Sequence, residues 1–387
     1  MTPAARVDAA INILDQVLDG QSAEASLIAW ARQSRFAGSG DRAAVRDLVF
    51  DALRRMRSLA WIGGAATGRG LMIGRLRDRG EAPETVFTGE AYAPAPLTAE
   101  ERTVPPDIAT APAGVRLDCP DWLLPELNAS LGEETEAVLD TLRHRAPVYL
   151  RVNLAKGTPE VAMSRLREDG VEAEPGPLSA SALLVTGHPR RVQNSAAYRE
   201  GLVELQDAAS QAVVDQVTPH ARGREVLDFC AGGGGKALHL AAAGAARVVA
   251  HDADPGRMRD IPTRAKRAGC EIEVTSAPQG RFGCVLVDVP CSGSGAWRRQ
   301  PEAKWRLTRE GLRDLNRLQD AILRHAAGFV LPDGVLAYVT CSLLERENGE
   351  RIDGFLAEVP GWRDLGRRRF TPLEGGDGFF VALLARS

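Results

Sequence analysis

The sequence predicts an α/β protein: a parallel sheet covered by helices, with a small α+β unit and a helical N-terminal domain ahead of it. Two observations carry this. From about residue 203 onward, short apolar strands alternate with helical segments, and the first strand runs into a glycine-rich turn that opens a helix. Before residue 80, by contrast, apolar residues recur at helical spacing.

Ala10, Ile13, Leu14, Val17 and Leu18 mark one N-terminal helix, and Val45, Leu48, Val49, Ala52 and Leu53 another. The second also carries Arg42, Arg46, Arg54, Arg55 and Arg57, and Arg69, Arg75, Arg77 and Arg79 follow. Such a cluster is either a solvated face or a phosphate-binding one. Between 81 and 120, Pro83, Pro94, Pro96, Pro105, Pro106, Pro112 and Pro120 exclude a long element, so this stretch is a linker or an extended wrapping segment. Residues 121–204 form the α+β unit, with a helical stretch at 121–145, a strand in 148–156, a helix at 159–169 and a strand near 182–185. The main domain covers 205–387, with strands expected at 225–229, 247–251, 271–276, 284–287 and 335–340 and a closing strand near 379–384.

With 44% hydrophobic and 26% charged residues and a net charge of −3, the chain is an ordinary globular one, and any nucleic-acid surface must come from local clusters. It has no run of roughly eighteen apolar residues of the kind that crosses a membrane. No secretory leader is apparent, and the expected compartment is the cytoplasm. The 6 cysteines are scattered without a C-x-x-C pair, so no metal site is expected and the thiols should be reduced.

In EVLDFCAGGGGKALHLAA (225–242) the strand ends at a turn formed by Cys230, Ala231, Gly232, Gly233, Gly234 and Gly235, with Lys236 at the helix start. Glycines there let backbone amides approach a ligand closely. Asp252 follows the next strand, where an acidic side chain accepts from ribose hydroxyls in nucleotide-binding α/β folds. The turn is neither the dinucleotide fingerprint nor a Walker loop, so a nucleoside with a small charged tail fits best. Two further strands end in polar, cysteine-bearing loops: CVLVDVPCSGSG (284–295) leads to Asp288 and Cys291, and VLAYVTCS (335–342) leads to Cys341. Ligands of open α/β sheets bind beyond the carboxyl ends of the strands, so the turn, Asp288 and both thiols should face one cleft. Cys119, Cys270 and Cys284 read as small buried hydrophobes, and Cys230 as structural.

DFCAGGGGK (228–236), DVPCSGSG (288–295) and TCS (340–342), with LQDAASQ (205–211), RRQPEAKW (298–305), ENGE (347–350) and DGFF (377–380), resemble the signature motifs of the NOL1/NOP2/Sun family of RNA cytosine-5 methyltransferases. The resemblance spans about 120–387 and is nearest to the bacterial branch acting on small-subunit (16S) ribosomal RNA. It implies a Rossmann-like class I methyltransferase core that uses S-adenosyl-L-methionine, an RNA-binding α+β subdomain and a helical, partly NusB-like N-terminal domain. The family pattern makes Cys341 the nucleophile and Cys291 the residue assisting release. Asp288 would contact the cytosine, Lys236 would stand beside cofactor and substrate, and Asp252 would hold the ribose. Arg298, Arg299 and Lys304 would meet RNA.

The thiols have a chemical rationale. Addition of a thiolate at carbon 6 of cytosine makes carbon 5 nucleophilic enough to take a methyl group, which nitrogen or oxygen methylation does not require. Three departures stand out. Gly232 and Gly233 replace the family's Ala-Pro, which predicts a more flexible turn. TSAPQG (275–280) lacks the carboxylate that usually receives adenine. The N-terminal helices match only part of a NusB-like domain. A catalytically weak or inactive RNA-binding ribosome-assembly factor on the same fold is the alternative reading, and a methyltransferase acting on a small molecule or a protein is a third.

Overall fold

In the computed structural model, which describes residues 1–103 and 105–386, the chain forms two compact units. The first combines Met1–Arg145 with Trp297–Arg306, and the second combines Ala146–Ala296 with the chain from Leu307 onward.

The first unit is helical: α1 (Pro3–Leu18), α2 (Ala23–Gln33), α3 (Ser39–Arg54), α4 (Met56–Gly63), α5 (Gly68–Asp78), α6 (Ala113–Arg116), α7 (Leu124–Leu131) and α8 (Thr135–Leu142). Thr2 and Ser22 start α1 and α2 as side-chain caps, accepting from the amides of Ala5 and Ala25. Ile13 and Leu14 of α1, Val45, Val49 and Leu53 of α3, and Leu71 and Ile73 of α5 share one core. The proline-rich stretch wraps this unit: Phe87 and Leu97 are buried in the same core, and Trp61 Nε1 donates to the Pro106 carbonyl at 3.2 Å. Arg42, Arg46 and Arg79 of the arginine cluster are exposed, while others are held by carboxylates of the same unit. Arg55 pairs with Asp78, Arg57 with Asp121, Arg69 with Glu101 and Arg75 with Asp51, at 2.5–2.7 Å.

Trp297–Arg306 completes this unit although it lies between two strands of the other. Its short helix Pro301–Arg306 packs on α3. Trp305 Nε1 donates to the Leu53 carbonyl at 2.7 Å, Arg54 Nε to the Arg298 carbonyl at 2.6 Å, and the Glu302 carboxylate caps α2 through the Ala23 amide at 3.1 Å. The 121–145 stretch, expected in the α+β unit, also belongs here, as α7 and α8.

Lys304 is 2% exposed, and its Nζ donates to the Arg54 carbonyl at 3.3 Å. Burial pushes its pKa down from 10.5 to about 8, against the attraction of Asp118. Because the folded value lies below the unfolded one, the unfolded chain binds the extra proton between about pH 8 and 10.5, and this residue's contribution to stability rises across that window. Urea unfolding of wild type and Lys304→Met at about pH 7 and about pH 9.5 is expected to show the difference moving in favour of wild type at the higher pH. A constant difference, or one moving the other way, removes the buried ammonium as its cause.

The second unit holds both sheets. β1 (Val148–Val152), α9 (Pro159–Glu168), β2 (Glu172–Pro175), β3 (Ala182–Gly187), α10 (Ala196–Arg199) and β4 (Val203–Leu205) build a four-stranded antiparallel sheet in the order β2-β3-β1-β4. Then follow α11 (Ala208–Ala221), β5 (Glu225–Asp228), α12 (Gly235–Ala242), β6 (Arg247–Ala250), α13 (Ile261–Ala268), β7 (Glu273–Val274) and β8 (Phe282–Asp288). After the excursion into the first unit come α14 (Arg309–Ala327), β9 (Val330–Thr340), α15 (Gly349–Glu358), β10 (Trp362–Phe370) and β11 (Phe379–Arg386).

The seven-stranded sheet runs β10-β11-β9-β8-β5-β6-β7, parallel from β9 to β7, with β11 and β10 antiparallel at one edge. Its two faces carry separate apolar cores, one around Val285, Tyr338 and Phe380 and one around Val213, Leu240 and Val339. This is the α/β core expected from the alternating strands and helices. β7 is shorter than expected, and β10 was not expected at all. β10 reads WRDLGRRRF, with mostly exposed side chains and a bulge between Asp364 and Gly366, so it shows no apolar alternation.

Candidate active site

β8 and β9 are parallel neighbours, with Asp288 opposite Val339. The last ladder bond runs from the Val289 amide to the Val339 carbonyl at 3.0 Å, and Pro290 then ends the strand, having no amide to donate. Cys291 and Cys341 therefore leave the sheet side by side, and their sulfurs stand 3.4 Å apart. Gly295 lets the loops close. Its amide donates to the Cys341 carbonyl and its carbonyl accepts from the Gly378 amide, both at 2.9 Å. A Cβ on Gly295 would lie 2.1 Å from the Gly378 carbonyl oxygen, so only glycine fits there.

Lys236, in the first turn of α12, reaches back to Asp288 with Nζ–Oδ2 at 2.5 Å and lies 5.3 Å from the Phe379 ring centroid. Burial opposes its charge, but Asp288, with Asp228 and Cys341 acting the same way, outweighs this and raises its pKa. Asp228, 1% exposed at the end of β5, is pushed up to about 7 by burial, with Lys236 pulling the other way. The Cys291 thiol is pushed well above its ordinary value by the hydrogen bond with Cys341, then by burial and the neighbouring charges of Cys341 and Glu347. Burial raises the Cys230 thiol too, and Cys230 packs against the core around Phe229 and Val249.

The glycine turn is more firmly held than its composition predicts. The Ala231 amide donates to the His251 carbonyl and the Gly234 amide to the Ala231 carbonyl, both at 2.8 Å. The Gly232 amide donates to Asp252 at 2.9 Å, and Arg264 donates to the Gly233 carbonyl. Gly234 has φ +78° and a Cβ there would come 2.7 Å from Ile261, so the turn requires glycine at that point, whereas Gly235 faces open space. The positions where Gly232 and Gly233 replace Ala-Pro are the ones over which arginines lean. Arg257 Nη2 stands 3.1 Å from a Cβ on Gly232, and Arg264 Nη1 stands 3.2 Å from one on Gly233. Asp252 is 4% exposed and also pairs with Arg257 at 3.2 Å. Beyond β7, the Thr275 carbonyl meets His251 Nδ1 at 3.2 Å in the stretch that lacks a carboxylate.

The structure thus brings together Cys341, Cys291, Asp288 and Lys236, and ties Asp252 to the turn. Arg298 and Lys304, expected to meet RNA, belong to the helical unit with Trp297 and Trp305 and are 4% and 2% exposed. Of the three, Arg299 is exposed. Sequence reasoning left the roles of Glu347, Gln319 and Phe379 unread. ENGE and DGFF contained two of them, while Gln319 sits on an amphipathic helix with no local signal.

Residues 216–385 match the family model described as 16S rRNA methyltransferase RsmB/F, and residues 119–193 match one described as a Methyltr_RsmF/B-like ferredoxin-like domain. The curated ribosomal RNA small subunit methyltransferase B of Photorhabdus laumondii is 32% identical over 285 residues, 69% of this chain and 66% of that protein. Its counterpart from Xylella fastidiosa strain 9a5c is 36% identical over 291 residues, 69% of this chain and 68% of that one. The chain spans about two thirds of the length of the curated relatives it matches. Among solved structures, PH0851 is similar in fold over 100% of this chain and 99% of its own, with TM-score 0.75 at 24% identity. A methyltransferase homolog from Pyrococcus horikoshii is similar over 71% of this chain and 97% of its own, with TM-score 0.62 at 22% identity.

Proposed function

The chain belongs to the RsmB/F family of 16S rRNA methyltransferases, and from that premise we propose that it methylates carbon 5 of a cytosine in small-subunit ribosomal RNA, with S-adenosylmethionine as donor and Cys341 as nucleophile. The observation that carries the reading is the pair of thiols 3.4 Å apart at the ends of adjacent parallel strands, beside a partly buried Lys-Asp pair.

The glycine turn fits the donor: its cradle is open at Gly235 and closed to side chains at Gly234, and Asp252 offers the carboxylate suited to a ribose. When bound, S-adenosylmethionine supplies an electrophilic methyl group. The protein's part is to make carbon 5 able to accept it. The Cys341 thiolate forms a bond to carbon 6 of the ring, moving electron density onto carbon 5 and ring nitrogen 3. The Lys236–Asp288 pair supplies the proton or hydrogen bond that nitrogen 3 then needs. After methylation the carbon 5 proton passes to water in the cleft, the electrons of its bond re-form the 5,6 double bond, and the carbon 6–sulfur bond breaks with its electrons leaving on Cys341 as thiolate. Cys341, in the Thr-Cys-Ser motif, takes the attacking role that the family pattern gives it, and Cys291 the assisting one. The Cys291 proton is also within reach of the departing sulfur. Attack at carbon 6 needs the base unstacked, so the target is a cytosine in a loop or an opened strand.

The test is transfer of radiolabelled methyl from S-adenosylmethionine to unmodified small-subunit ribosomal RNA, followed by nucleoside analysis. Label in 5-methylcytosine is the expected result. Label in another nucleoside defeats the carbon 5 assignment. Absence of label despite donor binding favours the assembly-factor reading.

A further inference from the structure

A single buried carboxylate joins the two thiol-bearing loops. Glu347 is 0% exposed. Its Oε1 accepts from the Ser292 amide at 2.8 Å and from Gln319 Nε2 at 3.0 Å. Its Oε2 accepts from the hydroxyls of Ser292 and Ser342, the latter at 2.5 Å. Ser292 follows Cys291 and Ser342 follows Cys341, so one side chain holds the residue next to each sulfur.

Glu347 is itself fixed. Tyr338 donates its hydroxyl to the Glu347 carbonyl at 2.7 Å, and the adjoining Asn348 donates to the Ser342 carbonyl at 2.9 Å while accepting from the Thr340 hydroxyl at 2.6 Å. Gln319 also donates to the Pro290 carbonyl at 2.9 Å, which links the start of the Cys291 loop to the same carboxylate. A buried carboxylate is tolerated only when donors surround it, and here those donors come mainly from the two cysteine loops. The loops also meet directly, where the Gly295 amide donates to the Cys341 carbonyl at 2.9 Å and the Leu343 amide to the Ser294 hydroxyl at 2.7 Å, and Glu347 adds to these a carboxylate bonded next to both sulfurs.

We infer that Glu347 is the positioning residue that sets the separation of the two thiols, and with it the balance between adduct formation at Cys341 and release assisted by Cys291. The inference rests on the methyltransferase reading for its kinetic consequence, while its geometric content stands without it. The chemistry of the acceptors distinguishes two variants. Alanine removes both links. Glutamine keeps Oε1 for the two N–H donors and turns an amide toward two hydroxyls, which can rotate to accept.

The first measurement is independent of activity: bridging of the two thiols by dibromobimane, which becomes fluorescent only on joining two nearby sulfurs. Wild type and Glu347→Gln are expected to bridge efficiently. Glu347→Ala is expected to bridge several-fold less, although each thiol is still alkylated singly. The second is turnover. Glu347→Ala is expected to lose about 10²-fold in kcat, the usual cost of a misplacement of about 1 Å, with KM for RNA little changed and covalent RNA adduct accumulating. Glu347→Gln is expected to recover most of the rate. Unchanged bridging in Glu347→Ala overturns the inference, as does a loss of rate that only follows loss of folded protein and is not rescued by glutamine. If wild type itself methylates no RNA, the functional reading fails, and the bridging result still decides the role of Glu347.

Discussion

Replacing Cys341 with alanine is expected to lower methyl transfer to below about 10⁻⁴ of wild type, because the covalent step loses its attacking sulfur. Cys291→Ala is expected to behave differently. It keeps the attacking sulfur but removes the thiol 3.4 Å from it, so the bond to carbon 6 forms and breaks slowly. A denaturing gel of enzyme with labelled RNA separates the two: a retarded protein–RNA species with Cys291→Ala, none with Cys341→Ala. The reverse pattern would exchange the roles, and the same behaviour in both would remove the division of labour.

The second large effect is expected from the Lys236–Asp288 pair. Its partners lie 2.5 Å apart, with Lys236 partly buried and Asp228, whose pKa is about 7, acting on the same ammonium. Lys236→Met leaves two carboxyl groups without their cation, which favours their protonated forms, and Asp288→Asn removes the group that holds the ammonium. Each change is expected to lower the single-turnover rate by about 10²- to 10⁴-fold, as loss of a general acid or base does. RNA binding measured by filter retention should change little. A single-turnover rate close to wild type in either variant would exclude the pair from the reaction.

The parts of this molecule legible in the sequence are those whose physics is local. β5, β6, β8 and β9 are apolar runs bounded by turn residues, and Asp288, Cys291 and Cys341, to which we assign the chemistry, stand where those runs stop. The glycine turn between strand and helix was legible, but the arginines that lean on it, Arg257 and Arg264, come from the segment after β6 and were not. β10 escaped notice because its arginines and bulge conceal the period of a strand. The burial of Lys304 and Arg298 was not legible, because a basic residue in a loop is ordinarily solvated. Only the fold reveals that Trp297 and Trp305 carry that loop into a core. Glu347 was visible in a motif, yet its role depends on two loops meeting in space.

The placement of Trp297–Arg306 has a consequence in time. A chain emerging from the ribosome finishes residues 1–145 long before the rest, and an N-terminal domain ordinarily folds as soon as it appears. Here the carboxylate that caps α2 and the indole that donates to the end of α3 arrive 279 and 252 residues after their partners. The helical unit is therefore the first to be started but is not finished until Arg306 has been made, and until then Asp118 and the end of α3 await Lys304 and Trp305. Loop closures of this length slow the final step, leaving the nascent helical unit open to chaperones and proteases while the sheet is still being synthesised.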